Sequence, residues 1–236
     1  MRLFPVILLT CFSLGLRAQL HDFGFRPAVA MEYAFTGKWS AQFEEQLTFR
    51  ENATELRSLQ HDFGVTHKLP VNGLRLGLNY MHTSRRDREG FFSGRNRWYM
   101  DLSYRRKFNS LNTIYRIRYQ QQNAGRRDEE TGPSSVYLRN RITVKYTPRR
   151  ANPYVYTELF TDLQSGYNDR IRFCLGLDVK LSELHTLDFY YLHQREFNVR
   201  EPERHYFAGI TYSLDLNTLF SNFKSGSADD VREEGK

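Results

Sequence analysis

Polar and apolar residues alternate along most of this chain. Between Arg170 and Leu181, Ile171, Phe173, Leu175, Leu177, Val179 and Leu181 hold one parity; Arg170, Arg172, Cys174, Gly176, Asp178 and Lys180 hold the other. Successive side chains of a strand point to opposite faces, so this is a strand with one apolar and one polar face. The period returns at Leu187, Phe189 and Tyr191, and again from Tyr206 through Ala208, Ile210 and Tyr212 to Leu214. Upstream it recurs over 23–35, 39–49, 59–69, 74–80, 98–108, 115–119 and 136–146. The segment 154–163 carries apolar residues on both parities, which leaves its facing open. The pattern predicts eleven strands, many near the ten residues that a tilted strand needs to cross a bilayer.

The connections fall into two alternating sets. Those near Gly37, Asn72, Asn109, Arg150 and Glu183 are short, while those near Asn52 (a polar loop over 51–57), Glu89, Asp128, Gln164 and Arg200 are mostly longer and more charged. Outer-membrane barrels alternate in this way, with short periplasmic turns and longer external loops. The expectation is an all-β, antiparallel up-and-down transmembrane β-barrel of 10–12 strands. Eleven departs from the usual even count. Either segment 23–35 is not a full wall strand, giving ten, or one further strand exists, giving twelve.

A secreted soluble barrel or sandwich alternates in the same way. Two features favour the membrane. The polar face is rich in small residues (Gly24, Ala28, Ala34, Gly64, Gly176 and Gly209 among them), which suits a crowded interior better than a solvated surface. The alternating apolar positions are also too many for one small core.

Composition adds a location and removes some chemistries. Mean hydropathy is −0.64, as expected where half of each spanning strand faces a polar interior. Tyr and Phe number 15 and 18, and Tyr suits a surface that is apolar with a wet edge. Residues 1–18 read as a cleaved signal peptide: Arg2, an apolar stretch from Leu3 to Leu16, then Ala18 before Gln19. This divides the chain into a signal at 1–18, a barrel at 19–216 and a polar, disordered tail at 217–236. Removing the signal takes Arg2 and Arg17, so a formal charge of +7 falls to about +5, too mild and too dispersed for a nucleic-acid surface. Only Cys174 is left, which excludes an internal disulfide, a cysteine-based zinc site and a CxxC motif.

With the apolar face outward, the polar face fills the lumen with Glu44, Arg97, Asp101, Arg116, Arg118, Arg139, Arg141, Glu158, Arg172 and Asp188, and with Arg170 and Asp178. Charges so confined must pair, and the planar fork of arginine matches a carboxylate in bidentate fashion. The main expectation is a salt-bridged plug; a lining that selects anions or small polar solutes is the alternative. Ten to twelve strands lie nearer the filled than the porin end of the barrel range.

No motif demands catalysis. His82, His185, His193 and His205 have serines nearby in Ser84, Ser165, Ser182 and Ser213, without any spacing that imposes a Ser–His pair. Glu44 and Glu45 fall on opposite faces, Asp128, Glu129 and Glu130 sit in a loop, and His21, His61 and His67 are too scattered for zinc. No catalytic, cofactor or metal residue is assigned. The loop over 85–89 could touch anionic lipopolysaccharide, though a solvated loop explains it more simply.

Arg139-Asn140-Arg141-Ile142 leads through Pro153-Tyr154-Val155 and Glu158-Leu159-Phe160 to Arg172-Phe173-Cys174-Leu175-Gly176-Leu177 and Leu187-Asp188-Phe189-Tyr190-Tyr191, with Arg116-Ile117-Arg118-Tyr119-Gln120 upstream. This order resembles the family catalogued as domain of unknown function 2490, over roughly residues 23–214. The resemblance implies an outer-membrane β-barrel of a Gram-negative bacterium and brings no activity with it. The reading is therefore a structural or accessory envelope component in contact with outer-membrane lipid and lipopolysaccharide, with another envelope protein as a possible partner and no nucleic acid. The alternatives are a lipid-acting enzyme and a narrow solute channel.

Overall fold

A computed structural model describes residues 23–87, 89–123, 134–148 and 150–219. The expected signal peptide, His21, Arg88, the acidic run 128–130 and residues 220–236 of the expected tail lie outside the described residues.

Eleven strands form one closed barrel: β1 (Phe23–Tyr33), β2 (Trp39–Arg50), β3 (Glu55–Lys68), β4 (Leu74–Arg86), β5 (Phe92–Phe108), β6 (Leu111–Asn123), β7 (Ser135–Tyr146), β8 (Ala151–Asp162), β9 (Asn168–Lys180), β10 (His185–Glu196) and β11 (Arg204–Asp215). Every sequential neighbour pairs antiparallel. Neither ten nor twelve is right. In a meander of odd count the first and last strands run the same way, so β1 and β11 close the barrel in parallel, from Phe23 against Tyr206 to Glu32 against Asp215. The ladder from β1 to β2 omits Arg26 and Pro27, where proline has no N–H to give.

The two sets of connections lie at opposite rims. The turn rim carries 34–38, 69–73, 109–110, 147–150 and 181–184; the loop rim carries 51–54, 87–91, the β6–β7 connection, 163–167 and 197–203. Odd count also puts the start of β1, Phe23, at the loop rim and the end of β11, Asp215, at the turn rim. The polar loop expected over 51–57 is shorter. Glu51, Asn52 and Ala53 all take positive φ, closing a tight turn that lets β3 start at Glu55. At the turn rim Gly73 has φ +85° and its carbonyl accepts from the Arg105 amide at 2.8 Å, so a Cβ there would strike the Arg105 carbonyl.

Outward positions are apolar around the circumference, including Val29, Phe63, Leu78, Trp98, Ile142, Val155, Leu175 and Phe189. Leu175 at mid-strand is 61% exposed. A belt of this extent far exceeds the patches that a soluble monomer leaves bare. Several of its polar members are paired inside it: His61 Nδ1 lies 3.5 Å from Glu45, the Tyr80 hydroxyl donates to Asn96 at 2.9 Å, and that of Tyr115 donates to Asn140 at 2.8 Å.

β8 resolves its own ambiguity. Val155 points outward and is half exposed, whereas Phe160 is buried inside. The small inward residues make room for rings: a Cβ on Gly176 would overlap Tyr154, and one on Gly209 would overlap Tyr190. The lumen is thus packed with aromatic side chains, and Phe207 and the aliphatic Leu192 are almost fully enclosed.

Candidate functional site

The register of the wall writes the lumen in two rows. One runs Ser103, Arg116, Arg141, Glu158, Arg172 and Gln194 across β5 to β10. The next runs Asp101, Arg118, Arg139, Phe160, Arg170 and Glu196 across the same strands. Inward parity aims all of these at the axis, and the narrow bore brings them into contact.

Glu158 is the hub, with 0% of its side chain exposed. Its Oε1 accepts from Arg116 at 2.7 Å and from Arg139 Nε at 3.2 Å. Its Oε2 accepts from Arg139 at 2.9 Å and Arg141 at 3.0 Å, and Arg172 stands 3.7 Å away. Arg118 grips Asp101 with two bonds of 2.7 Å, and Arg116 reaches the same carboxylate at 3.8 Å, joining both clusters. Two carboxylates thus hold five guanidiniums. Aromatic faces take the rest of the charge: Arg118 lies 3.7 Å from the Tyr99 ring centre, Arg141 4.0 Å from Tyr156, and Arg139 and Arg172 4.3 and 4.7 Å from Phe160. Neutral acceptors finish the set, Gln120 for Arg139 at 2.8 Å and Gln194 for Arg172 at 2.7 Å.

Seven of the twelve lumen charges expected from the sequence, Asp101, Arg116, Arg118, Arg139, Arg141, Glu158 and Arg172, meet in this network. Arg97 does not; it forks onto Gln122 at 2.6 and 3.1 Å. Asp188 accepts from the Tyr154 hydroxyl at 2.9 Å instead of a cation. Glu44 lines a cavity of about 340 Å³ at the turn rim together with Glu32, Asp62, Glu183 and Asp215, against one Lys180. Asp62 there accepts from Tyr99, and Asp178 pairs with Lys145. The aromatic and amide partners share the parity of the charges, but nothing in the sequence marks them as ligands of arginine.

The loop rim holds the opposite charge. A cavity of about 270 Å³ opens there, lined by eight arginines and two glutamates among the described residues. Glu196, Glu203 and His205 converge within 4.8 Å at its edge, but the surrounding arginines set a positive field that repels a divalent cation. Three of the histidines and serines considered for catalysis have other partners. His82 bonds Asn96 at 2.9 Å on the outer face. His185 bonds the Tyr212 hydroxyl at 2.6 Å. Ser182 accepts from the amides of Leu184 and His185, which makes it a turn residue.

A family model described as "Protein of unknown function (DUF2490)" matches residues 26–205. No curated protein matches the chain. Among solved structures, the β domain of the Bordetella autotransporter Brka is 13% identical, with a TM-score of 0.37, over 74% of this chain and 82% of that one.

Proposed function

The chain belongs to the DUF2490 family of unknown function, and we propose that it is an outer-membrane β-barrel of a Gram-negative envelope whose lumen is closed by its own ion network. In this reading residues 1–18 direct export, the apolar belt faces outer-membrane lipid, and the barrel serves as a structural or accessory component. One observation carries it: Glu158 is wholly enclosed at mid-lumen by arginines from β6, β7 and β9. An ion crossing the bore would have to break bonds to a buried carboxylate, and breaking a buried pair costs about 3–5 kcal/mol. An eleven-stranded wall is also narrow enough for side chains to fill.

The test is protein comprising residues 19–236, refolded into detergent and then into planar bilayers. The closed reading expects a band whose gel mobility changes on boiling, with no stepwise conductance from the same sample. Conductance steps that change when Arg116→Ala or Arg141→Ala is introduced would make the protein a channel instead.

A further inference from the structure

The arginines at the loop rim are held differently from those at mid-lumen. At mid-lumen each cluster centres on a carboxylate. At the rim, among the described residues, eight arginines and two glutamates line the 270 Å³, a formal excess of about six positive charges. Several of them are oriented by neutral groups, while Arg170 pairs with Glu196 at 3.2 Å and Arg172 also reaches Glu158 at 3.7 Å. Gln122 holds Arg97, Gln194 holds Arg172, and the Phe207 ring lies 3.5 Å below the Arg26 guanidinium. Glutamine and aromatic faces fix a guanidinium without cancelling its charge.

A second feature adds to the set. The β2–β3 register shifts between Thr48, opposite Ser58, and Phe49, opposite Leu56, which leaves Arg57 as the extra residue of a bulge. Regular alternation beside Ser58 would send Arg57 to the outer face. The bulge instead lets both residues line the cavity. The Nε atoms of Arg57 and Arg26 are enclosed without a hydrogen-bond partner. Burying like charges together is unfavourable unless something compensates them.

We propose that this loop-rim cup is a binding site for a small phosphorylated anion, taking at least two phosphoryl charges at once. Arginine forks suit phosphate oxygens, and the enclosing walls focus the field. The volume lies just below the ~300 Å³ typical of small-molecule pockets, which fits a diphosphate-sized group and not a threaded polymer. The phosphates could come from a free solute or from a lipid headgroup reaching over the rim.

The probe is inorganic pyrophosphate, titrated calorimetrically into the refolded 19–236 barrel in neutral detergent. The variants are Arg57→Gln and Arg26→Gln, with Arg105→Gln at the opposite rim as control and heat-modifiable mobility as the folding check. The expected result is saturable one-to-one binding that weakens at least fivefold in each cup variant and is unchanged in the control. Repeating the titration in vesicles with phosphorylated or dephosphorylated lipid A separates the sources. Competition by the phosphorylated lipid alone assigns the site to headgroups, and its absence assigns it to free solutes. No saturable pyrophosphate binding together with no dependence on lipid phosphorylation would overturn the proposal. So would binding of equal strength in cup variants and control.

Discussion

Replacing Glu158 with glutamine is the sharpest perturbation of the lumen. The change keeps the shape and removes one charge, leaving Arg116, Arg139, Arg141 and Arg172 around a neutral amide. All four were within 3.7 Å of the carboxylate, which has no contact with solvent. Asp101 remains, but it is already gripped by Arg118. At an effective dielectric near 20, one charge pair about 4 Å apart is worth roughly 4 kcal/mol, so losing the hub outweighs any packing change. Removal of one partner from a buried pair costs about 3–5 kcal/mol. With a urea slope of about 2–3 kcal/mol/M, the unfolding midpoint of the refolded barrel should fall by roughly 1–2.5 M. Adding Arg141→Gln to Glu158→Gln should recover about 0.5–3 kcal/mol, since the two side chains are coupled. A midpoint unchanged by Glu158→Gln would refute the claim that this carboxylate holds the lumen together.

Other consequences are equally direct. Gly176→Ala and Gly209→Ala should each cost about 1–3 kcal/mol, because the new methyl overlaps the Tyr154 or Tyr190 ring; the unfolding midpoint reads this. Leu175→Arg, at an outward mid-strand position, should cost about 2–4 kcal/mol in lipid, whereas a water-facing belt would tolerate it. Asn52→Cys and Gly37→Cys lie on connections at opposite rims, so a membrane-impermeant maleimide applied to intact cells should label only one of them. Labelling of both without permeabilisation would contradict the topology.

Much of the wall was legible because period-two alternation is a local property. Ile171 to Leu181 announce their face without reference to any other strand. So do the inward charges: Arg116, Arg118, Arg139 and Arg141 share a parity that only a polar interior explains. Their pairing was not legible. It depends on the registers that place Arg141 beside Glu158 and Glu158 beside Arg172, and those arise between strands. The parity of β8 was hidden for a related reason. Tyr154, Tyr156 and Phe160 are as apolar as Val155 and Leu159, and what turns them inward is the space left by Gly176 and the guanidiniums that their rings accept. Eleven alternating segments do make eleven strands, and the even count usual for such barrels is avoided because β1 closes on β11 in parallel. The bulges were invisible. One places Arg57 in the cup, and the other, between Phe160 and Thr161, leaves Asp169 buried where the Tyr137 hydroxyl donates to it at 2.8 Å.

The most direct test of the central claim, that this barrel turns its apolar belt to lipid, uses the two tryptophans of the chain. Trp39 and Trp98 both point outward and are 42% and 60% exposed. The refolded protein in vesicles whose acyl chains carry bromine should show quenched tryptophan fluorescence, and Trp39→Phe and Trp98→Phe should each leave a quenched residual signal. Full emission in brominated vesicles, equal to that in unbrominated ones, would mean that the belt faces water and would contradict the account.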